Sequence, residues 1–372
     1  MNNFLETIKS IYSFFKLNAD ERKFVFFSEN KNYTNIFQPI IEKFLENNIN
    51  IIYLTSDKKD YFYKLKNKNL KCFYISKTIG QIILLNNINC KNLIMTMPDL
   101  ENFHIKRSKY CSNYSYMFHS PVSTNMIYKN KAFFHYDKIF CVGEHHFNEI
   151  LEYKKKYSLK NLELIKAGYP KFDVLYSKFS KHEKIFKKNK ITIAPSWGNK
   201  NIINNNLLKY LKILLEKNYE VNLRPHIQSF KYDKKILEEI EKKLSNNSNF
   251  KLEKENSNFE KVFESEFLIT DWSGISIEFA FITKRPILFI NTPKKINNKL
   301  FNDISCEPIE IKIRQKIGLI IEENDLINSD DYLKQLRTNK NFKQEIMSEK
   351  KRFLYNFQNS IDFIFKKFLQ IL

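Results

Sequence analysis

Apolar residues fall in short unbroken runs along this chain, separated by stretches with helical spacing. In the first half, residues 23–28 (KFVFFS), 50–56 (NIIYLTS), 70–76 (LKCFYIS) and 92–97 (NLIMTM) read as strands. Residues 114–119 (YSYMFH), 138–143 (KIFCVG) and 162–168 (LELIKAG) continue the series, with helical patterns at 35–47, 79–87 and 144–157 between them. Runs that are apolar throughout, rather than on alternate residues, belong to strands buried on both faces. Alternating with helices, such strands predict a parallel sheet covered on both sides, the doubly wound α/β arrangement.

The charged stretch 177–189 (SKFSKHEKIFKKN) interrupts the pattern and reads as a linker. The alternation then restarts, with strands at 190–194, 220–224, 267–270 and 286–290 and helices at 202–218, 234–244 and 273–281. Two similar halves predict two Rossmann-like domains, 1–180 and 181–372, facing a central cleft. The last stretch, 342–372, reads as amphipathic helix that could pack back on the first domain.

Composition narrows this picture only slightly. A hydrophobic fraction of 43% with 15% aromatics excludes wholesale disorder in a chain of 372 residues. The net charge of +21 comes mostly from lysine, over-used together with Asn, Ile, Phe and Tyr as in an AT-rich genome. It reads either as drift on solvated faces or as a surface attracting phosphate, anionic lipid or nucleic acid. The basic residues are spread out and form no known nucleic-acid module, so no specific nucleic-acid partner is expected. Five widely spaced cysteines without a Cys-x-x-Cys pair suggest neither zinc nor redox chemistry and fit a reducing cytoplasm. Glu6 and Lys9 break any signal-peptide core, and no apolar run is long enough to span a bilayer.

Candidate chemistry gathers at strand ends. Of six glycines, Gly143, Gly168, Gly198 and Gly274 close or follow a strand, where α/β sheets bind ligands. In 270–278 (TDWSGISIE) a strand runs into a helix whose first-turn amides and dipole would favour an anion, with Ser273 and Ser276 adding hydroxyls. Arg224-Pro225-His226 ends another strand, and a guanidinium beside an imidazole suits a pyrophosphate. His119 ends a strand of the first half, where an imidazole could deprotonate a hydroxyl. Residues 194–198 (APSWG) and 168–173 (GYPKFD) form further strand-end loops, the latter placing Lys171 and Asp173 where a hinge would lie. His145 and His146 with Glu149 could suggest a metal, but adjacent helical side chains diverge by about 100°. No metal site is expected.

These motifs, in this order, resemble the CDP-glycerol glycerophosphotransferases, teichoic-acid and capsule polymer transferases built on the two-Rossmann GT-B fold. The resemblance rests on Phe118-His119-Ser120, 168–173, 194–197, Arg224-Pro225-His226, 271–278 and Lys284-Arg285-Pro286. It implies that the second domain binds the CDP moiety, with Asp271, Ser273 and Gly274 at the phosphates and Arg224 and His226 at the pyrophosphate. Ser276, Glu278, Pro195 and Ser196 are further nucleotide-binding candidates; His119 matches the catalytic histidine, and His226, at the pyrophosphate, is a second catalytic candidate. Ser120-Pro121 replaces the usual Gly after His, and Gly274 a frequent second Ser. The donor therefore stays open among glycerol phosphate, ribitol phosphate, another polyol phosphate and a sugar. No cofactor is expected, and no divalent metal. The resemblance implies a glycan or lipid-linked acceptor at the inner membrane face, where the Phe-rich termini and positive charge could hold the enzyme peripherally. Rival readings are a UDP-sugar glycosyltransferase or UDP-sugar 2-epimerase on the same fold, and a basic nucleic-acid-binding protein.

Overall fold

A computed structural model gives the architecture and describes residues 2–180, 186–198, 200–254 and 260–371. The chain forms two compact units. The first runs to Val174 and takes in Asn297–Cys306 and the chain from Leu354; the second comprises Leu175–Ile296 and Glu307–Phe353.

In the first unit, β1 (Phe24–Ser28), β2 (Ile51–Thr55), β3 (Leu70–Tyr74), β4 (Cys90–Met95), β5 (Cys111–Met117), β6 (Lys138–Cys141) and β7 (Glu163–Lys166) form one parallel sheet. Their order is β3-β2-β1-β4-β5-β6-β7, so the winding reverses between β1 and β4. Every residue of β1 and β2 is buried, as their unbroken apolar runs require. Phe24, Phe26 and Phe140 pack with Phe44 of the helix Thr34–Glu46 and Phe368 of the helix Ser360–Gln370, at ring separations of 4.6–6.3 Å.

The second unit repeats the plan with β8 (Lys187–Ile193), β9 (Glu220–Leu223), β10 (Phe250–Leu252), β11 (Ser265–Thr270), β12 (Ile287–Ile290) and β13 (Gly318–Ile321). The order β10-β9-β8-β11-β12-β13 puts the reversal between β8 and β11. The two edge strands, β10 and β13, carry only three and four residues and stand outside the expected set. Their short runs present too little periodicity to read.

Two expectations need correction. The last stretch is not continuous helix but Asn341–Phe353 in the second unit and Ser360–Gln370 in the first. Asn356 (φ 44°) and Gln358 (φ 68°) turn the chain between them through the left-handed region, which no helix accommodates. The expected linker also contains structure: 177–180 continue the helix Pro170–Ser180 and 187–189 begin β8, while 181–185 lie outside the described residues.

Candidate active site

At the β8/β11 reversal, Asp271 follows β11 and is buried. Its Oδ1 accepts the backbone N–H groups of Ser196 and Trp272, both at 2.7 Å, and its Oδ2 accepts the Ser196 hydroxyl at 3.0 Å. The Asp271 carboxylate therefore fastens the β8 loop to the β11 loop. Burial pushes its pKa up, and these hydrogen bonds oppose the push. Thr270 adds a bond from its hydroxyl to the Ala194 carbonyl at 2.6 Å.

The helix after this loop runs over Ile275–Thr283, two residues later than the pattern predicts. Gly274 is its N-cap and no side chain caps the first turn. The Ser276 hydroxyl turns back to the Ser273 carbonyl at 2.9 Å. An uncapped helix start leaves backbone N–H groups and the positive dipole end available to an anion.

Cations surround this end of the sheet. Arg224 is buried where β9 ends, and its Nε donates to Glu253 at 3.3 Å, with Glu278 also close enough to favour its charge. His226 follows, its ring stacked on Trp197 at 5.7 Å, and its Nδ1 accepts the Gln228 N–H. Lys295 Nζ lies 4.5 Å from the centre of the same Trp197 ring. Burial lowers the His226 pKa to about 4, and Lys295 and Arg224 add to the shift. Burial also lowers Lys295 to about 8, although Asp271 and Glu310 favour its charge. Arg314, buried over the Trp272 ring at 4.0 Å, falls to about 10 for the same reason. Burial is the largest cause of each of these shifts, while Glu253 and Glu278 favour the charge on Arg224, and Asp271 favours that on Lys295 and Arg314. Beside it opens a cavity of about 680 Å³ bordered by Trp197, Asn201, Tyr232, Asp233 and Glu323.

In the first unit, His119 stands two residues past β5. Its Nδ1 is enclosed and has no hydrogen-bond partner, although the residue as a whole keeps some exposure. Burial lowers its pKa to about 4, opposed by the Thr96 backbone and helped by Lys171. Its ring lies 5.0 Å from that of Tyr33, and the Tyr169 hydroxyl donates to its carbonyl at 2.8 Å. The loop that follows is pinned by the helix Glu144–Lys156. His145 Nε2 bonds the Pro121 carbonyl at 2.9 Å, His146 Nε2 the Val122 carbonyl at 2.7 Å, and Glu149 accepts from the Thr124 N–H and hydroxyl. These three residues thus shape the loop after His119. Among the described residues, no group of three or more His, Cys, Asp or Glu side chains could hold a metal ion.

The other two motifs hold scaffold. Gly168 has φ +91°, and a Cβ there would meet the Tyr355 carbonyl oxygen at 2.3 Å. Asp173 accepts the backbone N–H groups of Gln358 and Ser360, both at 2.7 Å, and so anchors the last helix in the place of a cap. Arg285 donates to the Ser265 and Phe263 carbonyls at the start of β11, the opposite end from Asp271. Sequence reasoning missed Lys295 and Arg314. No local pattern separates Lys295 from the many other lysines, and only the fold brings it to Trp197.

The profile of the family described as CDP-Glycerol:Poly(glycerophosphate) glycerophosphotransferase matches residues 10–295. Among solved structures, the wall teichoic acid polymerase TagF soaked with CDPG is similar over 99% of this chain and 97% of its own, at 17% identity and a TM-score of 0.59. The UDP-GlcNAc 2-epimerase from Neisseria meningitidis bound to UDP-GlcNAc matches 93% of this chain and 98% of its own, at 13% identity and a TM-score of 0.59. At such identities these likenesses show the fold, a GT-B-like pair of parallel-sheet α/β units. No curated protein matches the chain. With the profile spanning most of its length, the chain belongs to the CDP-glycerol:poly(glycerophosphate) glycerophosphotransferase family.

Proposed function

We propose that this enzyme transfers glycerol phosphate from CDP-glycerol to a hydroxyl of a teichoic-acid-like or capsule glycan. The observation that carries the reading is the convergence of Arg224, His226 and Lys295, all pushed toward their uncharged forms, with an uncapped helix start. A bound diphosphate would oppose all three shifts, so binding energy comes from favouring charges that burial disfavours. Ser273, Gly274 and Ser276 supply the helix start, and in this reading Glu278, buried near Arg224, meets the ribose. Asp271, Pro195 and Ser196 shape the loops.

His119 takes the proton of the acceptor hydroxyl as its oxygen attacks the β-phosphorus. The new P–O bond forms as the bond to the bridging oxygen breaks, and CMP leaves. Its lowered pKa keeps the imidazole neutral and able to accept at neutral pH. Charge neutralisation falls to the cations and helix amides, and this reading assigns no step to a divalent ion. Release of CMP from CDP-glycerol, against UMP or UDP from UDP-sugars, tests the assignment; preference for a UDP donor would sink it.

A lipid-linked acceptor would require a bilayer contact, and no helix among the described residues is long and apolar enough to cross one. The helix Asn2–Phe15 leaves Phe4, Leu5, Ile8 and Tyr12 about half exposed or more, beside exposed Lys9 and Lys16. That combination suits an anionic bilayer surface. The C-terminal Phe365 and Phe368 are buried and take no part. Flotation with phosphatidylglycerol vesicles, lost on Phe4→Glu and Leu5→Glu, checks this.

A further inference from the structure

The first unit has a second cavity, of about 330 Å³, walled in part by Glu29, Gln81, Asp99, Phe103 and His104. Glu29 follows β1 and Asp99 lies four residues past β4, so the cavity occupies the reversal of the first sheet. Open α/β sheets bind ligands at that place. The half-buried Glu29 side chain makes no hydrogen bond or ion pair among the described residues, and burial raises its pKa despite Lys77. Asp99 accepts one long bond from Asn102, at 3.4 Å. Two buried polar atoms at neighbouring strand ends, Thr96 Oγ1 and His119 Nδ1, also lack partners. Tyr33 connects the features: its ring lies 5.0 Å from His119, and Glu29 acts on its hydroxyl.

The lining selects the class of occupant. Two carboxylates repel an anion. An apolar ligand would leave Glu29 desolvated and unsatisfied. A hard divalent ion needs more converging oxygens than this lining supplies. A neutral polyhydroxyl group satisfies both carboxylates through charge-assisted O–H donors, and the half-exposed Phe103 ring offers it an apolar face. The volume suits glycerol or a single sugar ring.

We propose that this cavity holds the uncharged, hydroxyl-bearing end of the acceptor, with Glu29 and Asp99 accepting from its hydroxyls and orienting one of them toward His119. The proposal rests on the transferase reading above for the role of His119, while the binding itself does not. It makes the recognised acceptor terminus a neutral polyol or sugar, with any phosphate lying outside the pocket.

Saturation-transfer NMR on the nucleotide-free full chain tests it, with glycerol and methyl β-D-glucopyranoside as probes and sn-glycerol 3-phosphate as the anionic comparator. The neutral probes should bind, and the anion at least tenfold more weakly. Glu29→Gln and Asp99→Asn should each weaken the neutral probes at least fivefold while leaving CDP affinity, read by calorimetry, within twofold. Asn tolerates the Asp99 backbone conformation (φ 65°), so the second variant should keep the fold, with thermal unfolding as its check. Absent binding of the neutral probes, binding unchanged in both variants, preference for the anion, or binding only with Mg²⁺ or Ca²⁺ would each overturn the proposal. Failure of the wild type to bind CDP would instead undo the nucleotide assignment, and the NMR arm would still report on the cavity.

Discussion

Around the ends of β1, β4 and β5 the first unit offers Glu29, Asp99 and His119, whereas around β8, β9 and β11 the second offers Arg224, His226, Lys295 and a helix start without a side-chain cap. Both sets lie near the same topological feature, the reversal of a doubly wound sheet. The backbone plan thus decides where a ligand is met, and the side chains decide which ligand. On the proposal above, one end accepts hydrogen bonds from hydroxyls, whereas the other gathers buried cationic side chains beside a helix start. Each unit also holds a half-buried histidine whose pKa falls to about 4, so the imidazole is the element they share.

The strongest way to break this contrast is His119→Ala. It should lower kcat about 10²–10⁴-fold, the range for a general base, and leave CDP affinity unchanged by calorimetry. Equal loss of CDP binding would mean that the two ends are not chemically separate.

The shared feature gives the next largest effect. Each histidine has a folded pKa below its unfolded value of 6.5, so the unfolded chain binds more protons between about pH 4 and 6.5. The stability from keeping them neutral is present above 6.5 and lost as pH falls toward 4, on the order of 3 kcal/mol or less per histidine. Thermal unfolding across that range should show a steep acid loss, reduced in His119→Gln. A Tm independent of pH there would contradict the burial of both rings.

Asp271→Asn sharpens the second unit. An amide cannot accept from three donors without turning its own N–H group toward one of them. A loss of about 1–3 kcal/mol in urea unfolding is expected. Lys295→Ala should have the smallest effect, raising KM for CDP-glycerol about tenfold with little change in kcat, as for one charge-assisted contact. In the wild type, CDP affinity should weaken above pH 8, where free Lys295 loses its proton. A flat profile from pH 7 to 9 would remove Lys295 from the site.

Much of the fold was legible because both-face burial leaves unbroken apolar runs, and β1, β2 and β11 show them plainly. The edge strands β10 and β13 and the break at 354–359 were not, because a three-residue strand or a side-chain-held turn leaves no period. Motif residues were legible as strand-end chemistry, but their duties were not. Asp271, expected at the phosphates, fastens two loops, and Asp173, expected where a hinge would lie, anchors the last helix. Cys90 and Cys111, far apart in sequence, come within 3.5 Å as free thiols through β4/β5 register.

By itself the sequence determined two doubly wound halves, the strand ends as the place of chemistry, and a helix start suited to phosphate. These follow from local periodicity and from backbone groups that any helix start exposes. Only the tertiary structure decided that Lys295 joins His226 at Trp197, that Arg285 serves the far end of β11, and that Glu29 and Asp99 share a cavity. Those relations join residues that only non-local strand pairing brings together, and burial then sets their charge. Neither effect is written in any local stretch of the chain.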